Sequence, residues 1–123
     1  MGIPASQRLR IQSDFLEVRS SRHRIHCGPF IVQCDLTGSH LSAPPKLGVI
    51  ASRRVGNAVK RNRGKRVFRE LFRHHQNALP GGSRVVVVIR SGFDKHNFSD
   101  LEDRFLKACA TLCSKMGQEK SPL

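Results

Sequence analysis

The sequence predicts a single mixed α+β domain in which helices cover a small sheet. Three observations predict it. Two long stretches carry apolar residues at helical spacing, and three short runs rich in Val, Ile and Leu read as strands. Gly and Pro clusters such as Pro80-Gly81-Gly82 separate them. With 123 residues and a hydrophobic fraction of 38%, the chain can build one modest core. We expect a flexible tail over residues 1–7, a domain over 8–116 and a second flexible tail over 117–123.

Ser13 can cap a short helix running to about Ser20, with Phe15 and Val18 on one side. Arg19 to His26 is basic and too poor in apolar residues to be buried. Phe30 to Leu36 reads as a strand with Phe30, Val32, Cys34 and Leu36 facing inward. Thr37 to Pro45 is turn-rich, and Leu47 to Arg53 reads as the next strand, so that a hairpin or meander is the economical pairing. Asn57 suits the N-cap of a helix reaching about Asn77, and Pro80-Gly81-Gly82 turns the chain. Arg84 to Arg90 contains Val85-Val86-Val87-Val88-Ile89, an unbroken apolar run that predicts a central strand covered on both faces. Ser99 and Glu102 form a capping box for the last helix. On that helix Leu101, Phe105, Ala108, Cys109, Leu112 and Met116 recur on one side, and fraying is expected from about Gly117. The order is α-β-β-α-β-α, with room for a further strand around Thr37 to Pro45 or by splitting the Ile31 region.

The charge is unevenly placed. The chain has 22 basic and 9 acidic residues, a net +13. Residues 1–93 hold 17 basic and 4 acidic side chains, and residues 94–123 hold five of each, so the excess belongs to the first three quarters. Between Arg53 and Arg73 stand nine Lys or Arg and one acid, Glu70. A folded helix gains nothing from such self-repulsion, and one acid cannot build an ion-pair lattice. A polyanionic partner follows, nucleic acid before anionic membrane.

At about 100° per residue, Val67, Leu71, Phe68 and Phe72 share one arc of this helix. Asn62, Lys65, Arg66, Arg69 and Arg73 fall opposite, with Arg61 and Arg63 flanking. One face can dock on a sheet while the other offers guanidinium forks, which pair with phosphate oxygens. Gly64 lies inside the helix at a cost of about 1 kcal/mol relative to Ala. Either the helix is loose there or something approaches its backbone. The apolar arc is needed for the core and there is no Trp, which disfavours membrane docking. No helix-turn-helix or zinc-finger spacing accompanies the helix, although a groove of DNA could admit it.

Other constellations carry less. His23, His26 and Cys27 are close in sequence, but Cys34, Cys109 and Cys113 complete no zinc pattern, and no metal site is expected. Asp100, Glu102 and Asp103 sit in a first helical turn, where the dipole favours acids. His74 and His75 sit near a helix C-terminus for the matching reason. No nucleophile-base pair or phosphate-cradling glycine loop is present, and we expect no catalytic residue in the polypeptide. The chain shows no secretory signal and no apolar run long enough to span a membrane. We therefore expect a cytoplasmic protein with reduced cysteines.

The segment Ser52-Arg53-Arg54-Val55-Gly56-Asn57-Ala58-Val59-Lys60-Arg61-Asn62-Arg63-Gly64-Lys65-Arg66 resembles the signature of the bacterial ribonuclease P protein component. That signature is a strand ending in basic residues, then Gly-Asn-Ala-Val, then Arg-Asn-Arg followed by Lys-Arg. Arg8-Leu9-Arg10 with Asp14-Phe15 is similar to the family's N-terminal helix entry, Gly28-Pro29-Phe30 to its first strand, and Val85 to Arg90 to the strand after the basic helix. The resemblance covers roughly residues 8–115.

It implies a two-layer α/β sandwich in the order α-β-β-β-α-β-α, with a four-stranded sheet and a left-handed β-α-β crossover. It also implies the protein subunit of an endoribonuclease ribonucleoprotein. Such a subunit joins a catalytic RNA that removes 5′ leaders from precursor tRNA, with hydrolysis by magnesium held mainly by the RNA. One protein would pair with one catalytic RNA, away from membranes. Carried onto this chain, the RNA-binding set is Arg53, Arg54, Asn57, Lys60, Arg61, Asn62, Arg63, Lys65, Arg66, Arg69 and Arg73. A leader cleft between the N-terminal helix and the sheet would use Phe15, Arg19, Gln33, Lys65 and Arg69. Arg19 stands where the family has a second aromatic and Gln33 where it has a strand tyrosine, which shifts leader contact from stacking toward charge and hydrogen bonds. The alternative is a general RNA-binding module, such as a ribosomal protein or RNA chaperone. A self-sufficient nuclease is a third class, disfavoured by the missing catalytic constellation.

Overall fold

The computed structural model describes residues 7–9, 18–19, 23–35 and 44–120, and of residues 115–120 the backbone alone. Phe15, Leu36, most of the expected N-terminal helix and most of the 37–45 connection lie outside the described residues; Val18 and Arg19 are helical.

Four strands, β1 (His23–His26), β2 (Phe30–Asp35), β3 (Lys46–Ala51) and β4 (Arg84–Ile89), form one sheet in the order β1-β2-β4-β3. Helix α1 (Ala58–His75) links β3 to β4, and α2 (Phe98–Lys120) follows β4. This is the α+β architecture with a four-stranded sheet. β4 runs antiparallel to β2 and parallel to β3, so β3, α1 and β4 form a crossover unit.

The registers assign two faces. On one, Phe30, Val32 and Cys34 of β2 oppose Ile89, Val87 and Val85 of β4, and Leu47, Val49 and Ala51 of β3 join them. This face packs against Phe68, Leu71 and Phe72 of α1 and Leu101, Phe105, Cys109 and Leu112 of α2, forming the main core. On the other face Val86, with Ile50 and Val88 beside it, meets Leu9 and Val18. β4 is therefore central and covered on both sides, as its apolar run predicts.

Three expectations are corrected. The further strand is His23–His26, inside the basic stretch expected to be too poor in apolar residues to be buried, and not in the Thr37 to Pro45 or Ile31 regions. Among the described residues it is an edge strand paired with β2, and its half-buried residues His23 and Ile25 alternate with exposed Arg24 and His26. An edge position needs just one covered face, so a single Ile suffices. β2 and β3 form no hairpin, because β4 inserts between them. The last helix is capped by Asn97, whose Oδ1 accepts from the Asp100 N–H at 2.8 Å, and begins at Phe98, before the expected Ser99 cap. Its backbone is helical as far as Lys120.

Gln7, assigned to the tail, is buried. Its Nε2 donates to the Pro45 carbonyl at 3.0 Å and to Gln76 Oε1 at 2.7 Å. Next to it, the Leu9 N–H donates to the Leu47 carbonyl at 2.9 Å, continuing the sheet edge beyond β3.

Candidate nucleic-acid interface

The basic helix is mounted from both ends of its first turn. Asn57 has an extended backbone and its Oδ1 accepts from the Lys60 N–H at 2.9 Å, which satisfies an orphan donor of α1. Before it, Arg53–Val55 makes a single 3-10 turn that buries Val55 and leaves Arg53 and Arg54 in solvent. The inner face of α1 is fixed by Phe68, whose ring meets Phe30 edge-on with centroids 4.7 Å apart.

Gly64 lies on this inner face. A Cβ there would sit 3.0 Å from Ile89 Cδ1 and 3.0 Å from Phe93 Cζ. Of the two readings of this glycine, close approach is the one the packing supports. It lets α1 settle against the end of β4 and the Phe93 ring, and that settling fixes where the outer face points.

The outer face divides into engaged and unengaged cations. Lys60 pairs with Asp94 at 3.3 Å, and Arg73 Nε pairs with Glu70 Oε1 at 2.8 Å. Hydrogen bonding from Lys60 lowers the Asp94 pKa, and hydrogen bonding from Arg73 lowers that of Glu70. Arg61 is half-buried with its Nε enclosed and lacking a hydrogen-bond partner. Among the described residues Arg63, Lys65, Arg66 and Arg69 form no ion pair. The single carboxylate on this helix is thus taken by Arg73, and the ridge from Arg63 to Arg69 keeps its charge available.

Alongside the ridge runs a groove of about 870 Å³. Asn62, Lys65, Arg66 and Arg69 line it from α1, with Arg8 and Phe98 contributed by other elements. Arg8 and Phe98 are absent from the sequence-derived set. Arg8 arrives through its bridge to Leu47, and Phe98 through the Asn97 cap that starts α2. No periodicity in the sequence connects either of them to α1.

The expected leader-cleft residues do not all converge. Lys65 and Arg69 share the groove on α1. Gln33 lies on the opposite sheet face, 1% exposed, with its Nε2 donating to the Arg19 carbonyl at 3.0 Å and its Oε1 without a partner. Arg19 itself is exposed, and Phe15 lies outside the described residues.

The remaining polar groups have structural work. Asp100 holds His96 at 2.5 Å and Arg104, and these contacts lower its pKa, the His96 hydrogen bond foremost. Glu102 meets His75 Nε2 at 2.7 Å, joining the two helices. Arg104 Nη1 donates to the Cys27 carbonyl at 2.8 Å beside Gly28, whose φ of 86° is in the left-handed region that favours glycine. Burial raises the Cys34 and Cys109 thiols to about 12 and Cys27 to about 11. Among the described residues no three His, Cys, Asp or Glu side chains converge on a common point that could hold a metal ion. His23 and His26 project from opposite faces of β1.

Comparison with known proteins assigns the arrangement to a family. The sequence family described as Ribonuclease P matches residues 3–113. The chain is 40% identical over 98 residues to a ribonuclease P protein component of Geotalea uraniireducens, covering 80% of this chain and 83% of that one. It is 30% identical over 104 residues to that of Thermotoga maritima, covering 81% and 86%. The solved structure of the Thermotoga maritima RNase P protein superposes with a TM-score of 0.72 at 27% identity, covering 85% of this chain and 96% of that one. The Staphylococcus aureus RNase P protein, at 22% identity and a TM-score of 0.71, shares the fold.

Proposed function

The chain belongs to the ribonuclease P protein family, and from that premise we propose that it is the protein subunit of a ribonuclease P ribonucleoprotein, binding the catalytic RNA through the outer face of α1. The observation that carries this reading is the run Arg63, Lys65, Arg66 and Arg69, cationic and without ion-pair partners among the described residues, while Lys60 and Arg73 are held by acids. Guanidinium forks on a rigid helix hold phosphates at fixed spacing, and each phosphate neutralised releases counterions. Arg53, Arg54, Asn57 and Asn62 extend the same surface toward the helix N-terminus. Arg61, Lys60 and Arg73 are secondary contributors, because the Nε of the first is enclosed and the other two are already paired.

The protein acts electrostatically in this reading. It screens repulsion between the catalytic RNA and precursor tRNA and holds the 5′ leader through Lys65 and Arg69 in the groove, with Arg19 and Phe15 as further leader contacts, while buried Gln33 acts through its hydrogen bond to the Arg19 carbonyl. The described side chains offer no carboxylate cage for magnesium, which on this reading is bound mainly by RNA and supplies the hydrolytic chemistry there. The polypeptide positions RNA and contributes no reacting group. One protein with one catalytic RNA, in the cytoplasm, completes the proposal.

The test is cleavage of a precursor tRNA by its catalytic RNA at limiting magnesium, with and without the protein. Enhanced 5′ leader removal is expected. Binding without enhancement would reassign the chain to general RNA-binding modules, and cleavage by the protein alone would make it a nuclease.

A further inference from the structure

We propose that Phe98 is a stacking platform for one unpaired nucleobase, with the adjoining phosphates held by Lys65 and Arg66. The inference deepens the reading of this chain as an RNA-binding subunit and rests on it. Phe98 is 43% exposed, whereas Phe30, Phe68, Phe72, Phe93 and Phe105 are at most 2% exposed. Its ring makes no aromatic contact among the described residues. Exposing a phenyl ring forfeits the burial that the other five described phenylalanines obtain. The first helical position accepts most residues, and the cap here is Asn97.

The ring's surroundings name the occupant. Phe98 lines the same groove as Lys65, Arg66 and Asn62, so an apolar face stands within a cationic wall. The acid in that wall, Glu70, is neutralised by Arg73. Aromatic faces flanked by Lys and Arg are the chemistry of single-stranded nucleic acid, where bases stack and the backbone follows the charge. A protein partner would not require a wall of several cations whose one described carboxylate, Glu70, is already paired, and duplex RNA keeps its bases stacked on one another. The platform therefore selects a bulged, looped or terminal nucleotide.

The sequence contains no Trp and no Tyr, which makes the test direct. Phe98→Trp introduces the sole indole, and Val59→Trp, at a position 69% exposed and outside the groove lining, provides a control. The probes are a fluorescein-labelled unstructured RNA dodecamer and a blunt duplex of the same length, titrated at low salt with anisotropy and indole emission read separately. Phe98→Ala is expected to weaken single-strand binding about tenfold and leave duplex binding unchanged. Phe98→Trp is expected to bind like the parent and be quenched on saturation, while Val59→Trp is not. Parental affinity of Phe98→Ala, equal losses on both probes, or saturation without quenching at position 98 would overturn the platform and leave the RNA-binding reading standing. Failure of the parent protein to bind either probe would overturn that reading too.

Discussion

Gly64 is the residue at which two rules compete. In an exposed helix interior, Ala in place of Gly gains about 1 kcal/mol, but a methyl group here would press on Ile89 and Phe93 at 3.0 Å from each. Overpacking a filled core costs about 1–3 kcal/mol. Gly64→Ala is therefore expected to leave stability within about 1 kcal/mol of the parent, and Gly64→Leu to lower it by about 2–3 kcal/mol, both read from urea midpoints. Phe93→Ala in the Gly64→Leu background should recover part of the loss; no recovery would mean that the contact is not the constraint. The sequence shows the glycine and its helical cost, whereas the reason for it comes from a strand end and a 3-10 turn more than twenty residues later. The cysteines follow a simpler rule. Burial holds the Cys34 and Cys109 thiols near 12, so little thiolate exists at pH 8. Both should resist alkylation by iodoacetamide until urea unfolds the chain, and labelling at the native rate of a free thiol would show that the core around them opens.

At the scale of elements, α1 is the best-read part of the molecule. Its start at Asn57, its buried face and its charged face all follow from local chemistry, since the cap is three residues from the N–H it satisfies. Asn57→Ala should cost about 1 kcal/mol in urea unfolding and also weaken RNA binding by loosening the first turn. Binding itself should be steeply salt-dependent. Removing one phosphate contact with Arg66→Ala is expected to flatten the slope of log K against log salt by about 0.7–0.9. Arg24→Ala, which removes equal charge from the exposed face of β1, should leave the slope unchanged. Equal flattening by both would mean that bulk charge alone attracts the RNA. The strands were less legible. β4 announces itself because a strand covered on both faces must be apolar throughout. β1 does not, because pairing with β2 along one edge asks for no more than Ile25 and its alternation. The Ser99–Glu102 box likewise reads well locally, but Glu102 is drawn to His75 on the other helix, which sequence spacing cannot reveal.

For the whole molecule, topology and charge obey different logics. Placing β4 between β2 and β3 is a choice among pairings of comparable local quality, settled by α1 crossing over one face of the Val85–Ile89 run while Leu9 and Val18 cover the other, so the local pattern favours a hairpin that the assembled layers exclude. The groove shares this origin: Arg8 and Phe98 reach α1 only once the sheet and both helices are in place. Net charge, by contrast, is a sum, and +13 is legible at once. It also shapes stability, because self-repulsion acts on the folded state and the few acids offset it. Glu70, Asp94 and Asp100 all have their pKa values lowered, chiefly by hydrogen bonds from Arg73, Lys60 and His96 respectively. A carboxylate whose folded pKa lies below its unfolded value binds protons more readily when the chain unfolds, so its contribution is complete above the ordinary carboxylate range near 4 and is lost as pH falls through the lowered folded values. The same acidification removes the negative charges that moderate the cationic excess, and both effects act in one direction. Urea midpoints are therefore expected to be level from pH 7 to about 5 where these acids are concerned, then to fall steeply toward pH 3. Asp100→Asn should lower the midpoint at pH 7, since it loosens the contact that ties His96 to the first turn of α2 and the Asp100–Arg104 pair within that helix, and should make the acid fall shallower. If parent and Asp100→Asn curves descend in parallel, the acid pairs contribute nothing to the pH dependence and repulsion among the cations alone sets the acid limit.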